Sequence, residues 1–136
     1  DETVEKGWVD KVMKLKNIIR RGKETMEQIN ILGDDGVPMS YHVTFWKSEL
    51  VDFIILQQDG FDPVDSLCPI ERQRFMVDVV LDICERDFEF EDYEKCRDWF
   101  KNIINELRQM NYSEFHSEAF EKYYNDVLKL LEENGK

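Results

Sequence analysis

Apolar positions recur along this chain at helical spacing, in five separate stretches. From about Val4 to Leu32, the positions Trp8, Val12, Leu15, Ile19, Gly22, Met26 and Ile29 alternate spacings of four and three, a heptad stripe. Lys and Arg fill the other face as far as Arg21. Gly22 stands on the stripe itself, where a missing side chain lets another backbone come close although it lowers helix propensity. A coiled-coil partner helix and one helix of an intramolecular bundle both produce such a stripe. Bundles use the same packing, which favours the second.

The turn cluster Gly33-Asp34-Asp35-Gly36-Val37-Pro38 ends this helix. It lacks the glutamate that closes an EF-hand calcium loop, so its aspartates read as a solvated turn. Ser40 is placed to cap a second helix, Tyr41 to Gln58, with Trp46, Leu50, Phe53, Ile54 and Gln57 on one face. Val43, Val51 and Ile55 widen its apolar surface, which predicts a central position. A third helix, Pro69 to about Arg86, aligns Met76, Val77, Val80, Ile83 and Cys84, with Cys84 as a small core residue. Phe88 to Asp92 alternates briefly like a strand but has no second strand to pair with, and reads as a linker whose aromatics staple helices together. Tyr93 to Met110 forms a fourth helix through Tyr93, Cys96, Phe100, Ile103, Leu107 and Met110. Ser113 is placed to cap a fifth, with Phe120, Tyr124, Val127 and Leu131 on one face to about Glu133. The expectation is all-α: residues 1–136 as one bundle of about five amphipathic helices.

Composition narrows the function classes. Thirty acidic against 18 basic side chains give a formal charge of −12, the reverse of the basic face a nucleic-acid binder needs. Three cysteines, Cys68, Cys84 and Cys96, form no close pair, which fits a reducing compartment. The two histidines, His42 and His116, offer no zinc spacing. No apolar run approaches the roughly 18 residues of a membrane span. Asn111-Tyr112-Ser113 is formally a glycosylation sequon and reads as chance. The six glycines fall in no GxxxxGK[ST] pattern, so no phosphate-cradling loop is present, and no Ser/His/Asp or Cys/His constellation is visible. These residues are not expected to hydrolyse anything by themselves.

Between the second and third helices lies the corner Leu56 to Arg74, with two amides, a glycine, Phe61 and the turn-prone pair Asp62-Pro63. Pro69 suits a first helical position and Glu71 the positive end of the helix dipole. Gln57-Gln58-Asp59-Gly60-Phe61-Asp62-Pro63-Val64-Asp65 resembles the LQQNAFDxVD signature of the catalytic A subunit of V-type and archaeal-type ATP synthases, and Pro69-Ile70-Glu71-Arg72-Gln73 resembles the helix opening found after it in that family. Asp59 stands where that family has Asn, and Gly60 where it has Ala. Ile19-Arg20-Arg21-Gly22 and Phe45-Trp46-Lys47-Ser48-Glu49 are also similar to the family, and the likeness thins after Glu85.

The resemblance implies a C-terminal helical domain of a rotary ATPase subunit whose phosphate-binding loop lies in a preceding domain, in keeping with a chain that starts at Asp1 without Met. It implies that Phe61 lines the adenine end of the nucleotide pocket, with Gln58 as a polar neighbour. ATP or ADP with Mg would belong to the parent subunit, with none expected on these 136 residues alone. The implied partners are the B subunits and central-stalk subunits, in a cytoplasmic sector peripheral to the membrane. The alternative is a free-standing acidic helical interaction module, which explains the bundle and the charge but not the QQ-x-x-F-D-x-V-D run.

Overall fold

The most apolar of these stretches takes the centre. The structure, a computed structural model, describes residues 2–57 and 69–135. Its helices are α1 (Glu2–Leu32), α2 (Met39–Val51), α3 (Pro69–Glu85), α4 (Tyr93–Tyr112) and α5 (Glu118–Glu133), and no strand occurs among the described residues. α2 is continued by a single π-helical turn, Asp52–Leu56. Packed against α1, α3 and α4 at once, α2 exposes no side chain from Tyr41 to Ile55. α4 carries the other half of the core, with Cys96, Phe100, Ile103, Leu107 and Met110 fully enclosed. α5 closes over α4 through Phe120, Val127 and Leu131. The all-α expectation matches this arrangement of the described helices.

Helix ends follow local chemistry, and two differ from expectation. Gly33, at φ 84°, takes the left-handed conformation that closes α1, and its N–H bonds Ile29 O at 2.7 Å. α2 is led in by the extended Pro38 and starts at Met39, so Ser40 lies inside the helix rather than capping it. Proline fixes φ and pre-sets the turn two residues before the hydroxyl could act. Ser113 ends α4 instead of starting α5: its Oγ donates to Gln109 O at 2.8 Å. Ser117 supplies the cap of α5, accepting from Phe120 N–H, as Asp92 does for Lys95 N–H in α4.

The Phe88–Asp92 segment is an extended linker. Phe88 is buried, and Phe88 and Phe90 pack on Trp99 and Phe100 with centroids 4.8–6.0 Å apart, a cluster that ties the α3–α4 connection to the bundle. Asn134 adds a reciprocal pair, accepting from Glu89 N–H and donating to Glu89 O. The α1 stripe is only shallowly covered. Leu15 and Gly22 are buried, but Met26 is 47% exposed, so the stripe docks one helix of a bundle along part of its length. At Gly22 the two helices touch almost backbone to backbone, since a Cβ there would fall 2.0 Å from Ser48 Cβ.

Candidate functional site

The run Phe53-Ile54-Ile55-Leu56 cannot satisfy a single narrow stripe, because its side chains are apolar in every direction. The last turn over this run is wide: Gln57 N–H bonds Asp52 O at 2.9 Å, an i to i−5 bond. One additional residue in the turn rotates the backbone beyond it by about 100° relative to a continuous α-helix. Gln57, expected on the same face as Trp46 and Leu50, is exposed instead, and its Nε2 donates to Asp52 Oδ2 at 2.6 Å.

The last turn of α2 and the start of α3 both bond to the C-terminal end of α4. On the α2 side, Asn111 Nδ2 donates to Ile54 O at 3.2 Å. On the α3 side, Arg72, 1% exposed, donates from Nη1 to Ser113 O at 3.1 Å. Phe75 then seats the first turns of α3 among Phe115, Phe120 and Tyr124, at centroid distances of 5.1–5.8 Å. Pro69 opens α3 and Glu71 lies in its first turn, as the sequence predicts. Phe61 and Gln58, the residues singled out for the nucleotide, lie outside the described residues.

Sequence reasoning missed Arg72 and Asn111. Arg72 looked like one more charge in a helix opening, and Asn111 like part of a chance sequon. Asn111 is buried with its amide engaged, so that sequon is not an accessible acceptor in this fold.

The remaining chemistry is quiet. Cys84 and Cys96 are each pushed up to about 12 by burial; for Cys84 the nearby Lys47 ammonium pulls weakly the other way. Lys47 itself donates to Arg86 O at 2.7 Å, and burial lowers its pKa. Neither thiol is a reactive thiolate near neutral pH. Glu106 is raised, first by burial and then by Asp126 across the α4–α5 contact. No group of three metal-ligating side chains occurs among the described residues. Between α2 and α4 an open groove of about 470 Å³ sets Phe45, Trp46 and Phe53 against Lys101 and Arg108.

The described residues thus form an all-α bundle in which the end of α4 bonds to both the last turn of α2 and the start of α3. No family model matches the chain. It is 33% identical over 126 residues to the V-type ATP synthase alpha chain of Chlamydia abortus, covering 93% of this chain and 21% of that protein. The Borrelia turicatae alpha chain is 34% identical over 120 residues, 85% of this chain and 20% of the relative. That of Protochlamydia amoebophila is 28% identical over 130 residues, 96% and 22% respectively. The chain therefore spans about a fifth of the length of the curated relatives it matches. It belongs to the V-type ATP synthase alpha-chain family, as the C-terminal helical domain of that subunit.

Proposed function

We propose that this domain serves the catalytic subunit of a rotary, ion-translocating ATPase by supplying the adenine end of the nucleotide pocket and by contacting neighbouring subunits. The observation that carries the reading is the pairing of a family likeness over 85–96% of the chain with the LQQDGFDPVD run set between the π turn and the Pro69 helix start. In this reading Phe61 offers adenine a stacking face and Gln58 a polar neighbour. Stacking on an aromatic ring is tolerant of base identity and contributes about 1–3 kcal/mol per base. ATP or ADP with Mg is held at its phosphates by groups elsewhere in the parent subunit, which carry out the phosphoryl chemistry. The rest of the bundle faces B subunits and central-stalk subunits, and the aromatic and basic groove between α2 and α4 is a surface suited to such contacts. In this reading the domain lies in the peripheral, cytoplasmic sector; no helix of the described residues is long and apolar enough to cross a membrane.

The test is Phe61→Ala in the full-length subunit of the assembled ATPase. Loss of a stacking face removes binding common to ground and transition states, so the KM for ATP should rise about fivefold or more while kcat is nearly unchanged. An unchanged KM would remove Phe61 from the pocket.

A further inference from the structure

One edge of α4 reverses the sign of the chain. On a protein of formal charge −12, Arg97, Lys101 and Arg108 stand at i, i+4 and i+11, a row of cations about 16 Å long. Lys101 and Arg108 are exposed and paired with no carboxylate among the described residues, and Arg97 gives its Nε to the adjacent Asp98 at 3.2 Å. Exposed cations of this kind contribute next to nothing to the fold.

Beside the row runs a valley. The groove of about 470 Å³ between α2 and α4 sets Phe45, Trp46 and Phe53 against Lys101 and Arg108. Phe45 and Trp46 also line a second hollow of about 280 Å³, which reaches Met26 on α1 and Arg97 on α4. The two hollows therefore share an aromatic wall and the row of cations. All three rings are only half-buried. Scattered single apolar side chains on a surface need no partner, but clustered aromatics with arginine are what interface centres are enriched in. The charge of the groove is also split between its walls, because Glu49 lines the α2 side. An occupant gains most by turning its carboxylates toward α4.

Spacing selects the shape of that occupant. Lys101 and Arg108 are seven residues apart, two turns or about 10 Å, and so are Trp46 and Phe53 on the facing wall. A repeat of seven on both walls is the period at which a helix laid in a groove presents its own side chains.

We infer that this valley docks an amphipathic helix of a neighbouring subunit. Its apolar stripe packs on Phe45, Trp46 and Phe53, and its Asp and Glu side chains flank that stripe toward Lys101 and Arg108. The inference rests on the reading above that the bundle contacts other subunits, and adds the chemistry of the partner.

Zero-length carbodiimide coupling joins an amine to a carboxylate it touches, and mass spectrometry identifies the joined peptides. In the assembled ATPase, Lys101 should couple to an Asp or Glu on a helix of a B or central-stalk subunit. Lys101→Arg should abolish that product and leave coupling at other lysines unchanged. Lys101→Glu/Arg108→Glu in the full-length alpha chain should weaken its association with that subunit about tenfold or more at low salt, and less at high salt. Lys129→Glu, on α5, should not. Both substituted side chains are exposed, so the far-UV circular dichroism of the pair should match wild type. Should reversal prevent assembly, Lys101→Gln/Arg108→Gln reads the same effect at smaller size. Coupling of Lys101 only to its own chain, to a second copy of it, or to no carboxylate overturns the inference while the assembly stands. So does an unchanged affinity in both double variants. If the wild-type alpha chain does not assemble with B and central-stalk subunits, the underlying reading fails and the inference with it.

Discussion

Gly22→Ala tests how tightly α1 and α2 are joined. An added Cβ would stand 2.0 Å from Ser48 Cβ, 2.2 Å from Ser48 Oγ and 3.5 Å from Ser48 Cα. Favourable carbon–carbon contacts lie near 3.5–4.0 Å. A rotamer change in Ser48 could move its Oγ, but its Cβ is fixed to the backbone, and at 8% exposure the residue has little open space around it. The overlap is therefore relieved only by moving the helices apart by about 1.5 Å, to reach that contact range. Overpacking of this kind costs roughly 1–3 kcal/mol, while replacing glycine by alanine within a helix returns up to about 1 kcal/mol. The upper part of the overpacking range applies, because the clash involves a backbone-fixed atom, leaving a net loss of about 1–2 kcal/mol. For a domain of this size that lowers Tm by about 5 °C, read by far-UV circular dichroism. Ser48→Gly removes the colliding atoms, so the two substitutions should couple favourably by about 1 kcal/mol or more in a double-mutant cycle. A variant at position 22 that melts at or above the wild-type temperature, or strict additivity with Ser48→Gly, would refute the close-crossing argument.

Leu107, fully enclosed in α4, should cost about 2–5 kcal/mol on truncation to alanine, seen as a lower denaturation midpoint; an unchanged midpoint would remove it from the core. Iodoacetamide at pH 8 should label Cys84 and Cys96 slowly in the native protein and quickly after denaturation, since both thiols titrate near 12. The unfolded thiols lose their protons near pH 8.5–9 while the folded ones keep theirs, so stability should fall as pH rises from about 9 toward 12. Glu106→Gln removes a carboxylate that burial and Asp126 both disfavour as an anion, and should raise Tm at pH 7; the gain should vanish at acid pH, where Glu106 is protonated anyway.

The bundle was legible because its helices announce themselves by period. The stripes of α3, α4 and α5 fall on buried residues almost position for position, and Gly22 on a helix stripe signalled the close crossing before Ser48 could be identified as its partner. Caps were less legible. A serine is a capping signal wherever it occurs, and only the backbone decides that Ser113 closes α4 while Ser117 opens α5. The π turn left no sequence signal, because its cause is the tertiary demand of burying Ile54 while Asn111 meets its carbonyl. Arg72 and Asn111 escaped notice for a related reason. A polar residue beside a helix end reads as solvated until the fold brings a carbonyl 41 or 57 positions away into reach. The wording of the corner at 57–65 pointed to a family directly, which periodicity could not have done.

The bare crossing at Gly22 also gives α1 a fulcrum. About 20 residues, roughly 30 Å of helix, extend from that point toward Glu2. Their ties to α3 include the solvent-exposed pairs Lys11–Asp78 and Lys14–Glu85, bonds of the kind that salt weakens and that contribute little. A rocking of only about 5° at the crossing would sweep the far tip through about 2–3 Å, simple leverage from that length. Leu15, buried in the core, and Trp8, Ile18 and Ile19 packed against it seat that arm along its length, so any such stroke is shared with the bundle core and not taken up by the arm alone.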